Sequence, residues 1–373
     1  MLMPYEKGWI GTALSSSPKF DEYADSYGGV ARARPSDPYH TGLDEELVIA
    51  INVWREIAGK PRSNPRDEPL VSHFGFVDDA RPNAFAEFRG GEHFGGIHSG
   101  LLDIFNHLGN EIYVRQCIVD VTSGRPEINP DASLELNPDA ETLSAYRQDY
   151  PRYTEDVDQE NILAARYFRH FALIFALFHE FHHCAFGHCA YADALLGASR
   201  LNEYGDARVA LGTWALHKEV EFLADLGAID LMFWYVDRGS LLNRLYQPVL
   251  PAKTQHRIML LVISVVCALW RRTDSGGETQ KHPDAAQRYI VLSKSYIERL
   301  MGRYKIKFWG GFSILKRAAL DAALVSSACA DLKAVRSRVL EINTPAWRDR
   351  EFADLFVLTD KSIRDYEYAE IPR

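Results

Sequence analysis

The chain has 373 residues, 47% of them hydrophobic and 25% charged, the composition of a globular protein with a sizeable core. A formal net charge of −9, with no long Lys/Arg run, leaves no basic face for nucleic acid, so that class of partner is excluded. Five scattered cysteines without a CxxC pair argue against a disulfide framework or a zinc ribbon, and for reduced, buried thiols in a cytoplasmic protein.

The first residues, MLMPYEKGWIGTALSSSPKF, lack a basic start followed by an apolar stretch, so no signal peptide is expected. Residues 1 to about 40 read as an irregular arm. A first helix is expected from Leu43 to Ala58, with Thr41 as cap, Asp44 and Glu45 at its positive end and Gly59 as stop. Strand-like segments follow at Val71–Val77, Asn83–Phe88 and His93–His98, the last two joined through Arg89-Gly90-Gly91-Glu92 as a hairpin. Ser99 then opens a helix over Gly100 to Leu108. Residues 124–150, with Pro126, Pro130 and Pro138 among several acids, read as a loop. From Asp158 onward the pattern predicts helices at 158–191, 208–236, 253–272, 283–304 and 311–341, with a flexible loop at 271–282. The strongest apolar run, Ile258 to Trp270, is thirteen residues, short of the roughly 20 a membrane span needs, so no membrane insertion is expected. The fold class expected is α+β and predominantly helical, with a small N-terminal sheet, an active-site helix and a helical C-terminal half.

The chemistry concentrates at Phe178-His179-Glu180-Phe181-His182-His183. Residues four apart share a helix face, so His179 and His183 can aim ring nitrogens at one point, with zinc as the natural ion. Glu180 is displaced around the helix, where its carboxylate can reach a metal-bound water without ligating the metal. The preceding run, Phe171-Ala172-Leu173-Ile174-Phe175-Ala176-Leu177, marks the helix as buried, and ionisable side chains on a buried helix need bonded partners or a metal.

Three candidates exist for a third ligand. A histidine six residues after His183 would complete one pattern, but that position is Cys189, and Phe186 stands where the pattern wants glycine. His188 follows Gly187 and faces away from the ligand side of a continuous helix; it returns only if the helix breaks at Gly187. Glu221, in Glu219-Val220-Glu221-Phe222-Leu223-Ala224-Asp225, is preferred. Asp225 lies one turn on from Glu221 and can accept the second N–H of a ligating histidine. His182 reads as surface or supporting, His93 and His98 as ordinary, and His170 and His217 as free to approach the site without being required there.

HExxH followed by Glu221-Phe222-Leu223-Ala224-Asp225 resembles the zinc peptidases of the gluzincin type, in particular the HtpX and CAAX prenyl protease family. Asn83-Ala84-Phe85-Ala86, Gly90-Gly91 and Gly100-Leu101-Leu102 are similar to that family's strand, turn and helix before the active site, and His282-Pro283 with Arg288 to its late His-Pro…Arg element. His179-Glu180…His183…Gly187-His188 also resembles soluble Lit-type phage-exclusion and ImmA/IrrE-type regulatory peptidases. The membrane spans of the HtpX group are absent, which favours the soluble relatives.

The resemblance implies a zinc metalloendopeptidase acting on a protein or peptide substrate, with His179, His183 and Glu221 as ligands, Glu180 as general base and Asp225 supporting the ligands. It implies His282 as a donor to the oxyanion, and the Asn83–Phe88 strand as a place for substrate main chain if its edge is open. Arg288 is expected to pair with a core carboxylate. The domain division expected is an N-terminal arm and helix over 1–66, a catalytic domain over 67–305 and a helical extension over 306–373; oligomeric state is not legible. A zinc-binding regulatory or sensor protein without activity is the main alternative. A di-iron carboxylate protein ranks below it, because a second Glu-x-x-His is not found in the later helices.

Overall fold

The computed structural model describes residues 14–31, 43–60, 69–115, 118–121, 132–196, 200–202, 214–238, 246, 248–271, 285–304 and 308–342. The chain is α+β and mostly helical. In order the elements are α1 (Pro18–Ala24), α2 (Leu43–Ala58), β1 (Ser72–Val77), β2 (Ala84–Arg89), β3 (Glu92–His98), α3 (Ser99–Asn110), α4 (Ala140–Thr154), α5 (Gln159–Ala185), α6 (His188–Leu196), β4 (Arg200–Asn202), α7 (Trp214–Arg238), α8 (Ala252–Arg271), α9 (Ala285–Tyr304), α10 (Phe308–Ala328) and α11 (Ala330–Ile342). Two compact units share the described residues: one takes those within 1–102 and 176–207, the other those within 103–175 and 208–358, and the division passes through α5.

The first unit contains a four-stranded sheet in the order β1-β3-β2-β4, parallel between β1 and β3 and antiparallel elsewhere. The β2–β3 hairpin forms as the sequence predicts. Gly90 and Gly91 both adopt positive φ, 62° and 86°, the conformation a tight two-residue turn demands and side-chain-bearing residues resist. The condition for substrate main chain to add to β2, an open edge, is not met, because β4 pairs with Phe85, Ala86 and Glu87 on its far side. The outer side of β1 is also taken: Ser16 donates its N–H to the Phe74 carbonyl at 2.6 Å and Ala31 to that of Phe76 at 2.7 Å.

Within the expected irregular arm, residues 18–24 form α1. Ser17 caps it and Pro18 occupies its first turn, where the missing N–H costs nothing. Tyr23 stacks on Phe94 at 4.6 Å and donates to Glu87 Oε2 at 2.7 Å. Helix α2 forms over the span expected, although its expected cap, Thr41, lies outside the described residues. Its Trp54 stacks on Phe74 of β1 at 4.8 Å and meets Phe181 of α5 edge-on at 5.2 Å. Gly95 on β3 makes room for that indole, since a Cβ there would lie 2.7 Å from its ring. The last turns of α5 are thus pinned to the sheet by aromatic packing.

The second unit is helical. Within it α8 packs against α9 and α10, and α9 against α7 and α11. The segment expected as a loop over 124–150 holds α4 from Ala140, where Asp139 accepts the Thr142 N–H at 2.8 Å. The expected helix over 311–341 is two, α10 and α11, parted at Cys329. Helices α5 and α8 are long and apolar enough to cross a membrane, but 94% and 78% of their apolar windows are buried, the use a core helix makes of such a sequence. The four described cysteines, Cys184, Cys189, Cys267 and Cys329, are buried, and no disulfide joins them; Cys117 lies outside the described residues.

Burial sets an acid limit on this fold. Desolvation pushes His93 down to about 3, and His107 and His256 each to about 4, against an ordinary value of 6.5. Between about 6.5 and 4 the unfolded chain therefore binds more protons than the folded one, and stability rises with pH by up to about 1.4 kcal/mol per unit for each histidine. The urea midpoint is expected to fall steadily as pH drops from 7 to 5. A midpoint constant over that range would show that these imidazoles are not held neutral.

Candidate metal centre

The residues of the HExxH segment occupy the last two turns of α5, and all of them are buried: His179, Glu180, His182 and His183 are each 1% exposed or less. One helical turn separates His179 from His183, and the geometry follows. Their Nε2 atoms stand 3.0 Å apart, with ring centroids at 4.7 Å. Two nitrogens bound at about 2.0–2.1 Å to one tetrahedral ion would lie about 3.3–3.4 Å apart, so the two imidazoles are already close to a shared-ligand arrangement.

The third member comes from α7. Among the described residues, His179, His183 and Glu221 form the one group of three whose ligand atoms all lie within 4.8 Å of one another. All three are buried, and two imidazoles with a carboxylate are a donor set able to hold a divalent metal. Glu180 is on the same helix as both histidines, one residue on from His179. Burial and the Glu180 carboxylate together push the Cys184 thiol well up, which keeps that neighbour neutral and unreactive at ordinary pH.

The sequence expects an unbroken helix over 158–191, and the structure corrects this. Helix α5 ends at Ala185, Gly187 adopts φ 65°, and α6 begins at His188. The chain turns at the one residue without a Cβ, where a left-handed conformation carries no steric penalty. His188 therefore returns towards the histidine pair: its Nδ1 stands 3.0 Å from the Nδ1 of His183, and the residue is 1% exposed. The partner expected at the second nitrogen of a ligand is a carboxylate; at His183 it is an imidazole.

The remaining sequence candidates separate clearly. Asp225, fully buried one turn on from Glu221, accepts two hydrogen bonds from Arg288, each 2.6 Å. The Arg288 guanidinium lies 4.5 Å over the Trp270 ring, so the expected pairing of Arg288 with a core carboxylate is found. His182 is buried rather than on the surface, its Nδ1 2.6 Å from the Phe178 carbonyl. His170 is engaged with the Tyr235 hydroxyl at 2.8 Å. His282 lies outside the described residues, as does the side chain of His217.

Residues 131–298 match the family model Peptidase U49. The matched stretch is just under half of the chain. It contains His179, Glu180, His183, Glu221, Asp225 and Arg288, so the peptidase match and the histidine–carboxylate cluster fall on the same segment. The match supports peptidase activity. Neither a curated protein nor a solved structure matches the chain.

Proposed function

We propose that the protein is a zinc-dependent metalloendopeptidase acting on a protein substrate. The observation that carries this reading is the convergence of His179, His183 and Glu221 beside Glu180, inside a segment matched by a peptidase family model. Three protein ligands leave a fourth position, which hydrolytic zinc sites need and structural ones do not. Bound zinc would acidify water towards neutrality and polarise a peptide carbonyl. Glu180, held on α5 next to the first ligand, takes a proton from the attacking water and delivers it to the leaving amine. Asp225, clamped by Arg288, steadies the face of α7 from which Glu221 projects. His282 is the proposed donor to the oxyanion, on the His282-Pro283…Arg288 resemblance. A cytoplasmic setting in phage defence or stress regulation rests on the resemblance to the soluble relatives.

The direct test is metal content together with cleavage. Purified protein is expected to carry close to one zinc per chain. Induction in cells is expected to create new protein N-termini, detectable by mass spectrometry. Dialysis against a chelator should stop cleavage of the substrate so identified, and zinc should restore it. Protein that cleaves fully after complete metal removal would overturn the reading.

A further inference from the structure

The corner at Gly187 places a third imidazole where metallopeptidase chemistry does not itself require one. On an uninterrupted helix, five residues put a side chain about 140° round from its predecessor, so His188 would face away from His183. Instead α5 stops, the Gly187 N–H reaches the Cys184 carbonyl at 3.1 Å, and Tyr191 donates back to the Gly187 carbonyl at 2.9 Å. These bonds start α6 at an angle that brings the His188 ring to 5.1 Å from that of His183, at an interplanar angle of 70°. Phe186 lies 5.6 Å from the His188 ring, so the imidazole is packed as well as bonded.

A neutral imidazole carries one proton. The Nε2 of His183 faces the Nε2 of His179, and a nitrogen that ligates a metal must offer its lone pair there. The proton of His183 must then sit on Nδ1, and the group 3.0 Å from it is Nδ1 of His188. We propose that His188 is the positioning residue for His183, accepting its Nδ1–H and holding the tautomer and ring orientation that a metal requires. His188 in turn carries its own proton on Nε2. The assignment rests on reading His179 and His183 as zinc ligands, and it explains why a glycine corner breaks an otherwise continuous apolar helix at that point.

The test separates this role from packing. His188→Leu fills similar volume without an acceptor, whereas His188→Asn keeps an oxygen near the position of Nδ1. Zinc affinity, measured by competition with a chromogenic chelator, is expected to weaken about 10- to 100-fold in the Leu variant. The Asn variant should recover most of that loss, and melting of the metal-free proteins should not follow the same order. Equal zinc affinity in wild type and His188→Leu overturns the assignment. Nitrogen NMR of histidine-labelled, zinc-loaded wild type provides a second measurement that needs no variant to fold. His188 should report as the Nε2–H tautomer, and an Nδ1–H tautomer sinks the proposal. Wild-type protein that holds no zinc removes the metallopeptidase reading and this role with it, whereas tight zinc in the Leu variant removes this role alone.

Discussion

Replacing Glu180 by glutamine is expected to abolish peptide hydrolysis while leaving the zinc content and the fold unchanged. Glutamine keeps the length and one oxygen of the side chain but cannot take a proton from water. A positioned general base contributes about 10²- to 10⁴-fold to rate, which corresponds to about 3–5 kcal/mol of barrier. Glu180 is buried on α5 between the turns bearing His179 and His183, and it lies outside the group formed by those histidines with Glu221. Removing its charge should therefore leave the ligand set intact. The check is a count of new N-termini in cells expressing the variant, beside zinc per chain in the purified protein. Activity within tenfold of wild type would place the chemistry elsewhere. Loss of zinc together with activity would make Glu180 a ligand or a structural support rather than a base. A sensor without activity, the rival reading, predicts that the substitution changes nothing, because a site kept for shape has no use for a proton acceptor there.

What the sequence discloses depends on whether the deciding interaction is local. The β2–β3 hairpin is legible because Gly90 and Gly91 state the turn geometry themselves, and α2 because its apolar face lies within sixteen residues and its stop signal, Gly59, follows at once. The histidine pair is legible for the same reason: helical spacing alone brings the two rings together. Helix α4 is hidden because three prolines and several acids outweigh one short signal, Asp139 three residues before Thr142. The closed side of β2 is invisible, since its partner β4 arrives more than a hundred residues later and is only three residues long. Gly187 is the instructive case. A lone glycine inside an apolar helical run costs only about 1 kcal/mol, so the pattern does not distinguish a tolerated helical glycine from a left-handed corner. The structure shows the corner and, with it, the bond between His188 and His183.

Arg288→Met is expected to destabilise the protein by about 3–5 kcal/mol, the largest single effect on stability among the residues described. Arg288 is 1% exposed and Asp225 fully buried, and two parallel 2.6 Å bonds join guanidinium to carboxylate in the bidentate geometry that makes such pairs strong. The indole of Trp270 supports the cation from one face. Methionine preserves much of the volume but strands a carboxylate inside the core, and the penalty for an uncompensated buried charge dominates. The double variant Asp225→Asn with Arg288→Met should therefore be more stable than Arg288→Met alone, a non-additivity that urea unfolding at pH 7 can read. Zinc affinity is expected to behave differently. Asp225 lies one turn from Glu221 on α7, so removing the pair is expected to loosen the helix face that carries the proposed ligand, and neutralising Asp225 is not expected to restore it. Recovery of stability without recovery of zinc affinity would identify the pair as a clamp on the ligand helix. Recovery of both would reduce it to a core ion pair, and a loss below about 1 kcal/mol in the single variant would show that Asp225 has found other compensation.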